Sequence, residues 1–541
     1  MLSDRAERLI AAAQARAVDF ENPKLLGLPS WVREFRPWQI TAIEEIMAGF
    51  ETGNVVVLDA PTGSGKTLIA EVVRRLLNER AIYTCHTKAL QEQILHDYPY
   101  AKVLKGRQNY VVGDEGVDIT AADCRKPSPC PYCPSLSVCP YERAKHEALA
   151  ADLAVLNTSY LLTEGNGPGK FRGRGLLILD EADTLESELR RWISVEVSRG
   201  TCLRYGLREP SRRTVADSWR EWLDDAVPRL KRAGSRIQGE DLRSERERNR
   251  LERLVTKLRD VRKELVETDG DFAEGRPVGE TGWVYTGTDG RVEFKPVSTR
   301  KYGRLLWGLG ERFLLMSATV ISPGAMLDEL GWDKPYTIVK VDSTFPKENR
   351  PVIFKPAAKM TRKDDESGKL VPALREVIRR HAEERMLVHC VSYSLASYLH
   401  GELLGSCREV GVECSTYTGS DGKSAALDRF RRSEGGVLFA PSMDRGIDLP
   451  DDLCRVVVIA KIPYPNLGDR QVSARLHSPG GQAWYTVQTV RTVVQMTGRG
   501  VRHKDDHCTM YILDAMFDDL WSKARGLFPS WWTEAIKWER I

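Results

Sequence analysis

An apolar run, Asn54–Ala60 (NVVVLDA), leads without a break into Ala60-Pro-Thr-Gly-Ser-Gly-Lys-Thr67, and LIAEVVRRLL follows it. Strand, glycine loop and amphipathic helix in that order leave the chain few choices. The strand belongs in a parallel sheet covered by helices, and the loop turns its backbone N–H groups toward an anion. Gly63 and Gly65 allow that turn, Thr62 and Ser64 complete the loop, Lys66 is placed to neutralise the β and γ phosphates, and the Thr67 hydroxyl is placed to ligate Mg²⁺. The expectation is an NTP-binding α/β domain.

A second motif follows in the right order. Asp180-Glu181-Ala182-Asp183 comes directly after the apolar run Leu176–Asp180 (LLILD), so Asp180 emerges at the carboxyl end of a strand, where ligands of open α/β sheets bind. Asp180 is expected to hold Mg²⁺ and Glu181 to orient and deprotonate the attacking water. Far downstream, Gln495-Met-Thr-Gly-Arg499-Gly-Val-Arg502 sets two arginines three apart. On one helix face both reach a single phosphate, as arginine fingers do, with Gln495 beside them.

Between the first two motifs lie Cys124, Cys130, Cys133 and Cys139, spaced C-x5-C-x2-C-x5-C. Thiolates grouped this closely in a phosphate-handling chain read as metal ligands rather than disulfides. Four cysteines satisfy an iron–sulfur cluster, which tolerates irregular spacing. Zinc also takes four, although its sites are usually built from two short knuckles and only Cys130/Cys133 form one. Cys130-Pro-Tyr-Cys133 also copies a redox-active dithiol, but prolines crowd it and no strand leads into it.

The rest of the chain frames these motifs. At 541 residues and a net charge of +4, it has room for roughly three to four domains, and any basic surface must be local. The remaining seven cysteines are scattered singly; no apolar run approaches the ~18 residues of a membrane span; and MLSDRAERLIAAAQARAVDF reads as an amphipathic helix rather than a secretory signal. A reducing cytoplasm and no membrane contact are expected. Ala81–Cys85 and Phe313–Ser317 read as further strands of the first set, and Met386–Cys390, Gly436–Ala440, Arg455–Ala460 and Thr509–Leu513 as a second set. Between about 190 and 300, apolar residues at Trp219, Trp222, Leu223, Val227 and Leu230, then at Leu251, Leu254, Val255, Leu258, Val261 and Leu265, fall at helical spacing on charged segments, which predicts a helical hairpin. Trp531, Trp532 and Trp538 are expected to cap the last core; Tyr110 and Tyr132 are the better candidates for touching bases.

In family order, these residues resemble the XPD/DinG family of superfamily 2 iron–sulfur DNA helicases, nearest its DinG-like bacterial and phage members. Arg36-Pro-Trp-Gln39 resembles the adenine-reading Q motif and Thr87–Gln93 motif Ia. Gly106–Tyr110 resembles the lead-in to the cluster, and Asn157–Leu162 the segment before the DEAD box. Ser317-Ala-Thr319, Val391-Ser-Tyr393 and Gly446-Ile-Asp448-Leu-Pro450 resemble motifs III, IV and V, with Pro463–Asp469 and Ala474-Arg475 downstream. The resemblance implies an α/β fold of two RecA-like motor domains with parallel sheets. Motor domain 1 spans 1–105, 146–192 and 301–345, an iron–sulfur domain 106–145, a helical arch 193–300, and motor domain 2 346–541. It implies ATP and Mg²⁺ as cofactors, with Gln39, Gly446 and Asp448 joining the nucleotide site, and a [4Fe–4S] cluster on the four cysteines with zinc as the alternative. It further implies a monomeric motor moving 5′→3′ on single-stranded DNA and unwinding duplex or forked DNA, RNA–DNA hybrids being a further possible substrate. A translocase without processive unwinding and a non-motor nucleic-acid-binding subunit remain the alternatives. Two departures stand out: Val112 occupies the position where the family often has its first cluster cysteine, leaving that role to Cys124, and DEAD replaces the commoner DEAH at Asp183.

Overall fold

The computed structural model describes residues 22–86, 88–112, 120–122, 139–212, 216–239, 241–267, 282–288, 290–343, 345–361, 366–419, 421–441, 449, 451–498, 501 and 505–539. The expected N-terminal helix over residues 1–20 lies outside them.

Two seven-stranded sheets, each parallel throughout, carry the chain. The first is ordered β10-β1-β9-β5-β2-β4-β3. Its strands are β1 (Val55–Asp59), β2 (Ala81–Cys85), β3 (Lys102–Val103), β4 (Leu153–Asn157), β5 (Arg174–Asp180), β9 (Gly310–Ser317) and β10 (Thr337–Lys340). Central strands such as β1 and β5 are buried on both faces, which is why they read as continuous apolar runs rather than alternating ones. The helices α1 (Pro37–Thr52) and α2 (Lys66–Leu77) pack against β1 and against one another. The second sheet is ordered β13-β14-β12-β15-β16-β11-β17. It is built from β11 (Val352–Ala358), β12 (Arg385–His389), β13 (Glu413–Thr416), β14 (Gly436–Ala440), β15 (Val456–Ile459), β16 (Thr509–Asp514) and β17 (Ile536–Trp538). All eight expected strands are present with ends shifted by no more than three residues, whereas β3, β4, β10, β11, β13 and β17 were not foreseen.

The stretch between β5 and β9 corrects the purely helical reading. A three-stranded antiparallel sheet, β6 (Val195–Val197), β8 (Arg291–Pro296) and β7 (Trp283–Thr288), forms its base. RVEFKP alternates buried and exposed residues, the period of a strand with one wet face, and its charges masked that signal. After the short helix α4 (Arg199–Tyr205) the helical hairpin stands on this sheet as α5 (Ala216–Arg236) and α6 (Leu242–Glu267), which pack on each other. Trp219 fastens hairpin to sheet: fully buried, it lies 5.3 Å from Tyr285 and 5.7 Å from Phe294, ring centre to ring centre. At the other end of the chain Trp532 is buried and donates its ring N–H to Thr497 Oγ1 at 2.7 Å, and Trp531 packs beside it, as expected of core caps. Trp538 differs, being 45% exposed.

Asp59, the last residue of β1, is paired with Lys340 and Ser317 across the sheet. Burial pushes its carboxyl up to about 6, against the partly offsetting attraction of Lys340 and Lys66. Because the folded value lies above the unfolded one, the stabilisation is present below pH ~4 and is lost as pH rises through about 6. Asp59→Asn is therefore expected to gain stability relative to wild type between pH 4 and 7, by on the order of 2–3 kcal/mol. Thermal unfolding of both proteins across that range checks it, a pH-independent difference being the contrary result.

Candidate nucleotide site and interdomain junction

The P-loop begins where β1 ends. Gly63 and Gly65 both sit at left-handed angles, φ +79° and +84°, open to glycine at no steric cost. At Gly65 a β-carbon would also lie 2.3 Å from Gln39 Nε2. The loop is braced by Ser64 Oγ donating to Pro61 O at 2.7 Å, and by Lys66 Nζ donating to Ala60 O at 2.9 Å and Pro61 O at 3.2 Å. Thr62 lies in the turn. Gln39 is buried against this loop: its Nε2 donates to Ser64 O at 3.1 Å and its Oε1 accepts from Arg36 N at 3.0 Å. Arg36 adds a bond to Gly63 O at 3.3 Å. The Q-motif residues thus set the P-loop's shape.

The DEAD box meets the P-loop through a residue that sequence reasoning missed. Tyr83, in β2 beside β5, donates its hydroxyl to Asp180 Oδ2 at 2.7 Å and lies 3.3 Å from Thr67 Oγ1. A phenol has one proton, so with that proton on Asp180 the Thr67 hydroxyl must donate to Tyr83. The oxygen lone pairs of Thr67 then remain for a cation. Burial first, and the charge of Asp180 second, raise the Tyr83 phenol far above its ordinary value, keeping it a donor. The two expected Mg²⁺ ligands are thereby tied to one phenol oxygen and lie no more than 6 Å apart. The signal in the sequence was a tyrosine inside the strand AIYTC, since a buried hydroxyl must find a partner. Glu181 follows with φ +49°, its N–H donating to Asp180 Oδ1 at 2.9 Å.

The last residue of the box faces the other way. Asp183 is buried and accepts from Ser317 Oγ at 2.6 Å and from Gln495 Nε2 at 2.5 Å. Gln495 Nε2 also donates to Thr319 Oγ1 at 3.1 Å, and Arg491 Nη1 donates to Asp183 O at 2.9 Å. Ser317 ends β9 and Thr319 follows two residues later, whereas Gln495 and Arg491 project from the second unit's helix α8 (Gly481–Thr497), one turn apart on one face. Gln495, expected beside the arginine fingers, is thus joined to the DEAD box. Helix α8 ends at Thr497, and Arg499 and Arg502 lie outside the described residues, as do Gly446 and Asp448. A second line of contacts runs through α7 (Arg470–His477). Lys295 Nζ pairs with Asp469 at 3.3 Å, Arg470 donates to Tyr285 O at 3.3 Å, Gln471 donates to Val297 O at 2.9 Å, and buried Arg475 pairs with buried Glu329.

Of the cysteine quartet, Cys124, Cys130 and Cys133 lie outside the described residues. Cys139 is buried as the N-cap of α3 (Pro140–Ala150), in the same apolar cluster as Val112. Among the described residues no group of three or more His, Cys, Asp or Glu is disposed to hold a metal, and no helix is long and apolar enough to cross a membrane. Tyr110, half-buried, packs edge-on against Tyr141 at 5.6 Å and accepts from Lys105 N at 3.1 Å; Tyr132 lies outside the described residues.

Removing the phenol from the Thr67–Tyr83–Asp180 chain frees both ligands to turn away. Tyr83→Phe is expected to raise the Mg²⁺ concentration needed for half-maximal nucleotide binding roughly 5- to 10-fold, about the worth of one hydrogen bond to a charged group. A Mg²⁺ titration checks it. Gln495→Ala strips the Asp183 carboxylate of one donor; nucleotide affinity is expected to hold within about twofold while turnover falls at least tenfold, since the lost contact joins the two units rather than the ligand. Binding and turnover measured on one preparation separate these effects.

Residues 36–216 match the family model for the DEAD/DEAH box helicase, and residues 375–535 that for the helicase C-terminal domain. The chain is 26% identical over 153 residues to the ATP-dependent DNA helicase CHL1 of Vanderwaltozyma polyspora, covering 25% of this chain and 18% of that protein. It is 33% identical over 113 residues to the ATP-dependent DNA helicase chl-1 of Caenorhabditis elegans, covering 18% and 13%. Matched segments thus span less than a fifth of these relatives. In fold it is similar to a solved XPD helicase, TM-score 0.60 at 16% identity over 94% of this chain and all of that one. The Xpd4 structure of S. tokodaii gives 0.53 at 14%, covering 93% and all respectively. The two parallel sheets are RecA-like, the fold is that of the XPD helicase structures, and residues 36–216 and 375–535 belong to the DEAD/DEAH box helicase and helicase C-terminal domain families.

Proposed function

We propose that the chain is an ATP-dependent DNA helicase that moves 5′→3′ on single-stranded DNA and separates duplex or forked DNA. The observation that carries this reading is the junction at Asp183. Arg491 and Gln495 of the second motor domain bond directly to the DEAD box of the first, so hydrolysis at one wall is mechanically tied to the position of the other. ATP binds in the cleft between the domains. Lys66 lies on one wall, and Glu181, at the turn after Asp180, orients and deprotonates the attacking water. Arg499 and Arg502 approach the γ-phosphate from the other wall; Gly446 and Asp448 complete the nucleotide pocket, with Gln39 holding the P-loop to shape. Mg²⁺ held by Thr67 and Asp180 supplies charge neutralisation on the phosphates. The cysteines at 124, 130, 133 and 139 hold a [4Fe–4S] cluster whose contribution is structural, stiffening the domain that splits the duplex. The insertion over about 193–300 forms the arch under which the strand passes.

Strand displacement on 5′-tailed, 3′-tailed and forked substrates, with anaerobically prepared protein, tests the proposal. The 5′-tailed and forked substrates are expected to be unwound and the 3′-tailed one left intact. Glu181→Gln and Lys66→Ala should lose ATP hydrolysis while still binding single strands, and Cys133→Ser should lose unwinding and bound iron while keeping much of the turnover. Full turnover in Glu181→Gln overturns the site assignment. ATP turnover stimulated by single strands, without displacement of any substrate, identifies a translocase instead.

A further inference from the structure

The hairpin helices hold a feature that the motor cycle above does not use. Helix α4, the turn after α5 and the first turns of α6 border an open surface cavity of about 370 Å³ whose lining includes Arg204, Arg243, Arg246 and Arg250. One carboxylate, Glu247, organises it. Glu247 accepts from Tyr205 Oη at 2.5 Å, from Arg250 at 2.8 and 2.9 Å, and from Arg204 at 3.3 Å. Arg250 reaches on to Thr201 Oγ1 at 2.7 Å. Arg250 above all, then Tyr205, pulls the Glu247 carboxyl down to about 2 against its partial burial. The lining therefore carries four fixed positive charges against one negative.

A salt-bridged helix surface does not require this arrangement, because solvated charges of one sign spread apart rather than converge on a hollow. Two of these arginines, Arg204 and Arg250, also keep donors in reserve. A guanidinium carries five N–H donors; Arg250 spends three on Glu247 and Thr201, and Arg204 one on Glu247. The surplus matches the oxygens of a phosphate, which arginine binds in paired, planar fashion. Charge is concentrated here as well: residues 199–267 hold 19 Lys and Arg against 13 Asp and Glu, net +6, while the entire chain is only +4. The position favours a strand over a free ion. Glu247 precedes by seventeen residues Glu264, whose carboxylate holds Lys301 and Tyr302 at the foot of α6. At ~1.5 Å per residue the cavity stands roughly 25 Å out along the hairpin.

We propose, resting on the helicase reading, that this arginine cavity binds a phosphodiester of a nucleic-acid strand outside the motor groove. The test uses the full chain and a fluorescent single-stranded 30-mer, with affinity measured by anisotropy between 50 and 200 mM salt. Arg243 and Arg246 are exposed on α6, so Arg243→Ala/Arg246→Ala removes two charges from the rim without opening the core. The double variant is expected to bind about tenfold more weakly, with a salt slope lower by roughly 1.4, two contacts at about 0.7 each, and with DNA-independent ATP turnover unchanged. Arg243→Lys/Arg246→Lys, which keeps the charge, should retain the slope. Unchanged affinity and slope in the alanine variant overturn the cavity while leaving the helicase reading standing; a wild-type chain that binds no strand overturns both. If inorganic phosphate stabilises wild type against heat but not the alanine variant, and strand binding is equal in the two, the cavity takes free anions only and the proposal fails.

Discussion

A buried carboxylate in need of donors holds the two motor domains in register. Asp183 is removed from water, and an ionised group there is tolerated only when hydrogen bonds replace its hydration. Ser317 supplies one from within the first domain and Gln495 one from the second. The departure from DEAH fits this environment. Both neighbours point hydrogens inward, with Ser317 Oγ itself accepting from Thr319 N at 3.1 Å, so an acceptor-only side chain suits the position. The same demand fixes the face of α8 that meets the first domain, because Arg491 one turn earlier reaches the carbonyl of the same residue.

Several other contacts between the domains are of a kind that can part. Arg470 and Gln471 bond to backbone carbonyls, and Lys295 and Asp469 form a part-exposed pair. Each exchanges protein partners for water at a net cost of only about 0.5–1.5 kcal/mol. An apolar seam of similar extent would cost far more to open. Arg475 with Glu329 is the exception, since both are buried and separation strands two charges unless water follows them in. Opening is therefore easiest around the α7 rim and hardest at that pair. The contacts also join parts that sequence order keeps far apart: α7 touches the β-sheet at the base of the inserted block through Tyr285 and Val297, and touches the first domain itself through Glu329.

How much of this was legible depended on whether a residue's role was local. The P-loop and the DEAD box could be read directly because strand, turn and helix lie in one stretch, and β1, β2, β5 and β14 announced themselves as apolar runs. Strands β3, β13 and β17 are two to four residues long, too short to carry a period. β6 to β8 alternate correctly, but Arg291, Glu293 and Lys295 on the wet face of β8 resemble the charged helices beside them. Tyr83 and Asp183 act across 97 and 134 residues of chain, and no spacing rule reaches that far. Arg499 and Arg502 follow the end of α8 at Thr497 and lie outside the described residues.

Asp180 and Asp183 are three residues apart, yet they answer to different neighbours. Asp180 is held by Tyr83 and the P-loop side, Asp183 by α8 of the other domain. Between them stand Glu181 and the start of a 3-10 turn over Ala182–Thr184, closed by Thr184 Oγ1 donating to Glu181 O at 2.8 Å. So tight a turn has few soft torsions, and Glu181 already occupies a left-handed conformation that a non-glycine residue adopts only under constraint. The residue expected to orient water thus lies on a short, restrained segment whose Asp180 end is bonded to Tyr83 of the first domain and whose Asp183 end is bonded to Gln495 and Arg491 of the second.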